Sequence, residues 1–182
     1  MKMRLFTLLL LCSPIFLFGQ IGIGVKAGAN FANVSSDSFD SNSKTSIHVG
    51  AYVNLKLSDK WGITPEVLWS SQGADLDNSE FKTDYITVPI MLRWHIIDLI
   101  SLEAGPQFNF LTSAESGGVD IKDQLNDPSY SAAFGAVVHL PLGFNGGIRY
   151  VAGLTDLSKS DNEKITDQNF QIYVGWTIFG AK

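Results

Sequence analysis

The chain holds one cysteine, Cys12, and it falls inside an apolar N-terminal stretch. With no second thiol there is no intrachain disulfide. Once that stretch is removed, no thiolate is left for a metal site or a nucleophile. Charge is also sparse: Asp, Glu, Lys and Arg make up 17% of the 182 residues, for a net charge of −5. Such a balance lacks the basic footprint of a nucleic-acid binder. Past the N-terminus, no segment offers the ~20 consecutive apolar residues of a spanning helix. The three histidines have no metal-ligand spacing, no loop matches a calcium-loop pattern, and no G-x-S-x-G nucleophile motif is present. No cofactor or metal is therefore expected.

What is present begins with an export signal. Lys2 and Arg4 form a charged start, Leu5 to Leu11 begin an apolar core that continues through Ile15, Phe16 and Leu17, and Phe18-Gly19-Gln20 offers a small residue at the cut. These features predict a signal peptide over residues 1–19 and a single mature domain over 20–182. The alternative is a membrane anchor, against which stand the break at Ser13-Pro14 and the shortness of the apolar run. Leu-Leu-Leu-Cys lacks the small residues that precede a lipoprotein cysteine, so Cys12 reads as part of the signal.

The mature sequence alternates with period two, the mark of strands whose two faces meet different surroundings. Eight such strands are expected, at about 21–33, 46–57, 61–72, 84–96, 100–112, 130–140, 144–155 and 168–179. One face carries the wall charges Lys26, Lys56, Glu66, Arg93, Glu103 and Arg149, together with His48, His95 and His139. The other is almost wholly apolar. Alternation does not say which face is the inside. Short turns near Ser58-Asp59-Lys60, Asp98 and Pro141-Leu142-Gly143 alternate with long polar connections over 34–45, 73–83, 113–129 and 156–167. Up-and-down threading puts Trp61, Trp94, Phe144 and Trp176 near one set of strand ends. Phe31, Trp69, Phe108, Phe110 and Phe170 fall near the other, all on the apolar face. Export, alternating loops and two aromatic belts together predict an all-β, eight-stranded antiparallel up-and-down transmembrane barrel with lipid outside and a polar lumen. Lipid satisfies no backbone hydrogen bond, so a membrane-spanning sheet must close. With the N-terminus periplasmic, the four long loops are extracellular. Outer-membrane lipid is then the standing partner, and the barrel-assembly machinery the partner during insertion. Pro65, Pro89 and Pro106 fall inside strands and predict local bulges.

The candidate site is the lumen. Eight strands leave an interior just wide enough for side chains to fill, so Lys26, Lys56, Glu66, Arg93, Glu103 and Arg149 are expected to meet as a charge network that plugs it. A narrow gated ion path is the functional alternative. A serine–histidine pair at the outer rim, using Ser46 or Ser131, would be the basis of a lipid-modifying enzyme, the weakest of the readings. The carboxylates of the long loops suit divalent cations in type but not in spacing.

Several runs also resemble a family: Gly24–Asn30 (GVKAGAN), Val49–Leu55 (VGAYVNL), Thr64–Glu66 (TPE), Tyr85–Pro89 (YITVP), Leu102–Gln107 (LEAGPQ) and Arg149–Asp156 (RYVAGLTD). Together they are similar to PorT-family outer-membrane β-barrels over essentially the whole mature chain. The resemblance implies an eight-stranded barrel in the outer membrane of a Gram-negative bacterium, and little chemistry. The namesake is tied to protein secretion, a role that no motif here encodes. The function expected is non-enzymatic: a structural, anchoring or interaction role, with a small pore or transport protein, or a secretion-associated PorT-like factor, as alternatives.

Overall fold

The structure is a computed structural model and describes residues 20–36, 39–40, 42–76, 79–116, 119–120, 128–155 and 166–180, with side chains at 32–44, 72–82, 115–127 and 156–167 left aside. The expected signal peptide lies outside the described residues. Eight long strands follow in order: β1 (Ile21–Ser36), β2 (Asn42–Lys56), β3 (Trp61–Leu76), β4 (Ser79–Ile97), β5 (Ile100–Ser116), β6 (Ser129–His139), β7 (Phe144–Gly153) and β8 (Thr166–Gly180). Each pairs antiparallel with the next. β1 also pairs with β8 from Gly22↔Gly180 to Ser35↔Thr166, so the sheet closes into an up-and-down barrel with no free edge.

The strands run further into the long connections than their alternation suggests. β3 and β4 stay paired to Leu76↔Ser79, and two-residue strands at Phe39–Asp40 and Val119–Asp120 extend the β1 and β5 ladders. Polar sequence misled here because backbone pairing needs no apolar face once a ladder is running.

The opposite ends are tight. Leu57 and Ser58 N–H donate to Trp61 O, while Ser58 Oγ accepts from Trp61 N–H at 3.1 Å. The turn at Pro141–Gly143 puts Leu142 and Gly143 at φ 63° and 87°, and its Leu142 carbonyl accepts from the Trp176 indole.

The faces fall as the alternation requires. Ile23, Val25, Val49, Val67, Ile90, Leu92, Phe134, Ile148, Ile172 and Val174 are exposed around the outside. Lys26, Asn30, His48, Glu66, Arg93, Glu103, Gln107, Arg149 and Gln171 are buried within. This inversion of the usual soluble pattern is the barrel's main physical statement. The aromatics sit at the strand ends in cross-strand pairs. Trp61 stacks on Trp94 and Phe144 on Trp176 at the short-turn end; Phe31 meets Phe170 and Phe108 meets Tyr130 toward the other.

The prolines do not make bulges. Pro65 pairs with Ile90, Pro89 with Gln107 and Pro106 with Ala132, with no register shift at any of them. Shifts occur instead at Ile23/Gly24, Ser43/His48, Asp84/Tyr85 and His95/Ile97. Pro65, Pro89 and Pro106 lie on three adjacent strands, so the missing donors are gathered into one band of the wall.

Glycines make room for the large inward side chains. Gly135 lies between Glu103 on β5 and Arg149 on β7 and leaves the space over β6 open. A Cβ there would lie 2.2 Å from the Ile148 carbonyl oxygen and 3.0 Å from Arg149 Cα, both backbone. Gly135→Ala is therefore expected to lower barrel stability by about 1–3 kcal/mol through overpacking. At Gly146 a Cβ would meet nothing nearer than 3.7 Å, so Gly146→Ala is expected to stay within about 0.5 kcal/mol of the parent. Urea midpoints in lipid vesicles test both, and equal midpoints for the two variants would contradict the packing.

Candidate functional site: the filled lumen

Five charges from five strands converge on the barrel axis. Glu66 (β3) accepts from Lys26 Nζ (β1) at 2.6 Å, and from Arg149 (β7) through Nη1 at 3.0 Å and Nη2 at 2.9 Å. Glu103 (β5) accepts from Arg149 Nε at 2.9 Å and Nη2 at 2.6 Å, and from Arg93 Nη2 (β4) at 2.9 Å. Tyr173 (β8) donates its hydroxyl to Glu103 at 2.9 Å, and its ring lies 3.9 Å from Lys26 Nζ. Arg149 is the keystone: its planar fork holds one carboxylate on each side, a geometry that lysine cannot supply.

The local sequence explains why these groups meet. Arg93 and Glu103 are direct cross-strand partners. Glu103 and Arg149 reach each other across Gly135. Lys26 faces Gly50, the β2 residue between it and β3. Tyr173 faces Gly147. Lys26, Arg93, Glu103, Arg149 and Tyr173 each have a glycine as one cross-strand neighbour, the small-against-large arrangement that fills a narrow barrel, whereas Glu66 is opposed by Tyr52.

Lys56 is not in this cluster. Its side chain is 46% exposed at the short-turn end and pairs with Asp59 at 3.2 Å. It shares the inward parity of the others but stands at the last residue of β2, beyond the wall that would bury it. The buried cluster is thus three cations and two carboxylates, net +1, rather than four and two.

Polar layers flank the charges. On the long-connection side His48 Nδ1 meets Asn30 Oδ1 at 2.7 Å, and Asn30 Nδ2 donates to Ser70 Oγ. Asn109 accepts from Gln107 and donates to Ser129 and Ser131. The serine–histidine pair considered for the outer rim does not form: Ser131 is held by Asn109, and Ser46 Oγ has no partner among the described residues.

On the short-turn side Ser101 Oγ lies 2.7 Å from His95 Nδ1 and 2.8 Å from His139 Nε2. This His–Ser–His bridge escaped sequence reasoning. The three residues are far apart in the chain, and only the pairing of β4, β5 and β6 brings them together; the shared inward parity of His95, Ser101 and His139 was the available signal. Ser101 is fully buried. A cavity of about 210 Å³ opens here, lined by Asn54, Arg93, His95 and His139 among others, but not by Ser101. Among the described residues, no group of three or more His, Cys, Asp or Glu is placed to hold a metal ion.

A family model described as "Outer membrane protein beta-barrel domain" matches residues 13–159. The chain belongs to this family. An outer-membrane barrel is thereby established, and the exposed apolar girdle is its lipid-facing surface. Among solved structures, Ail, the attachment invasion locus protein of Yersinia pestis, crystallised with the heparin analogue sucrose octasulfate, superposes with a TM-score of 0.56 at 13% identity. The match covers 86% of this chain and 98% of that one. The outer membrane protein OprG from Pseudomonas aeruginosa gives 0.54 at 11% identity, over 90% of this chain and 97% of that one. At such identities the likeness is one of fold. No curated protein matches the sequence.

Proposed function

We propose that this outer-membrane barrel is a closed, non-catalytic wall protein with a structural, anchoring or interaction role, its lumen plugged by charge. The observation that carries the reading is Arg149 clamped between Glu66 and Glu103 with Arg93 and Lys26 outside them. Every member of that set is almost wholly buried, which supports a lumen without a continuous water path at that level. A plugged barrel presents two working surfaces, its lipid girdle and its loops. The N-terminus and short turns face the periplasm and the long hairpins face outward, an assignment supported by the alternation of turn lengths.

The outward connections carry thirteen Asp and Glu against five Lys over residues 34–45, 73–83, 113–129 and 156–167. That surface suits a cationic or divalent-bridged partner. It is a poor match for a polysulfated ligand of the kind crystallised with Ail, since like charges across an interface repel. The PorT-like resemblance adds a secretion-associated role as a second reading, carried by shared sequence runs alone.

Planar-bilayer recording of the purified protein tests the plug. The expected result is negligible steady conductance, with insertion shown independently by protease protection in the same lipid. Large, steady wild-type current would replace this reading with the pore alternative.

A further inference from the structure

The three short turns differ in what they present beyond the wall. The β2–β3 turn is polar: one aliphatic residue, Leu57, stands among Lys56, Ser58, Asp59 and Lys60, all exposed. Lys56 pairs with Asp59, and Ser58 Oγ accepts the backbone N–H of Trp61. The β4–β5 turn is the opposite. His95 N–H donates to Lys60 O, so the β3 ladder ends there and β4 goes on through Ile96 and Ile97 with only β5 beside it. Ile96, Ile97, Leu99 and Ile100 are all exposed, around a single charge, Asp98. Charge and aliphatics go separate ways: Asp98 lines the cavity at the barrel mouth, and none of the four aliphatic residues does. The outward row of β4, Ile90, Leu92 and Trp94, runs into them without a polar residue.

The β6–β7 turn carries a second, independent sign. Phe144 N–H donates to Pro141 O, and Leu142 and Gly143 take φ 63° and 87°. Tight hairpins fill two successive left-handed positions with Asn-Gly, because a larger side chain crowds the backbone there. This turn has leucine in the first of them. Leu142 is 75% exposed, so most of its surface touches no described residue that could offset the strain. The Trp176 indole, stacked on Phe144 in the lipid-facing aromatic pair, donates to the Leu142 carbonyl at 3.2 Å and ties the tip to the interfacial belt. Such a tip is stabilised where its surroundings are apolar as well.

We propose that the β4–β5 and β6–β7 turns lie in the leaflet at the short-turn end, at the boundary of headgroups and acyl chains, while the β2–β3 turn stands in water. The occupant of the apolar turn surface is lipid, because that surface is continuous with the girdle that lipid already covers. The two apolar turns flank β5 and β6, so this side of the barrel is anchored deeper than the β2–β3 side. The anchoring is independent of the plug and of which side of the membrane the short turns face.

Depth measurements on single labels test it. Past Cys12 the chain has no cysteine. In a Cys12→Ser background, Lys60→Cys, Leu99→Cys, Leu142→Cys and Val174→Cys each offer one thiol for bimane. The labelled barrels go into phosphatidylcholine vesicles brominated either near the head or near the middle of the acyl chains, with iodide equilibrated on both sides. At positions 99 and 142 the shallow bromines are expected to quench the label, and iodide to quench it several-fold less than at position 60. Position 60 should respond to iodide and not to bromine. Position 174, on the girdle, should respond to the deep bromines. Iodide access at 99 and 142 equal to that at 60, with 174 still quenched by bromine, would overturn this proposal alone and leave the apolar turns to a partner other than lipid. Equal bromine quenching at 60, 99 and 142 would also overturn it, since the three turns would then sit at one depth. No bromine quenching at 174 would overturn the lipid girdle and the proposal with it. Unboiled gel mobility shows that each variant is folded, and Ile97→Cys and Pro141→Cys report on the same two turns if Leu99→Cys or Leu142→Cys does not fold.

Discussion

Glu103→Gln is expected to destabilise the folded barrel by about 3–5 kcal/mol, the cost of breaking one partner out of a buried ionic set. Glu103 is where the loss is greatest because it accepts from Arg149, Arg93 and Tyr173 at once. The amide keeps the shape but removes the charge, and it presents its own N–H groups to a ring of donors. The buried cluster goes from net +1 to net +2 with a single carboxylate, Glu66, left to serve three cations. Two readouts belong together: the urea midpoint in lipid vesicles and single-channel current. A less stable barrel with intermittent current is the expected pair of results. A midpoint within 1 kcal/mol of wild type would mean that water screens the cluster and that the plug is not held by pairing.

Ile90→Arg and Val174→Arg are each expected to cost about 2–4 kcal/mol in a bilayer, the penalty for a basic side chain near the midplane on the lipid face of a barrel. Ile90 is 40% exposed and Val174 67% exposed on the outer surface, on β4 and β8 respectively. Both lie between the aromatic pairs that mark the strand ends. Thr87, on β4 with Ile90 but buried in the lumen, is the contrast: Thr87→Arg loses stability by crowding and by adding a cation to a lumen that already has one in excess. Alanine at Ile90 and Val174 controls for lost side-chain contact. If both outward arginines left the midpoint in lipid unchanged, the apolar girdle would not be facing hydrocarbon.

The faces of the wall were legible in the sequence because a strand's side chains alternate with a period of two whatever the tertiary context. Lys26, Glu66, Arg93, Glu103 and Arg149 share one parity with His48, Gln107 and Gln171, and a closed barrel has only one interior to which that parity can point. Strand ends were less legible. Parity continues past the wall, so Lys56 reads as inward although it stands at the rim, beside Asp59 and solvent. The upper ladders, such as Leu76↔Ser79, run through sequence rich in Asp, Asn, Ser and Gly, whose composition reads as a loop. The prolines predicted bulges from their missing donor. In the structure three adjacent strands share the defect in one band and keep register.

The sequence by itself determined the inversion of the barrel, its strand number and the polarity of its lumen, since each follows from local alternation together with the need of a membrane-spanning sheet to close. Only the tertiary structure decided partners. That Arg149 lies between Glu66 and Glu103 depends on the register of β5, β6 and β7 and on the space left by Gly135. That Ser101 bridges His95 and His139 depends on pairings of β4, β5 and β6 at the short-turn end. Register is a relation between strands, fixed by turn lengths and by shifts such as the one between His95 and Ile97, and alternation along a single strand is blind to it.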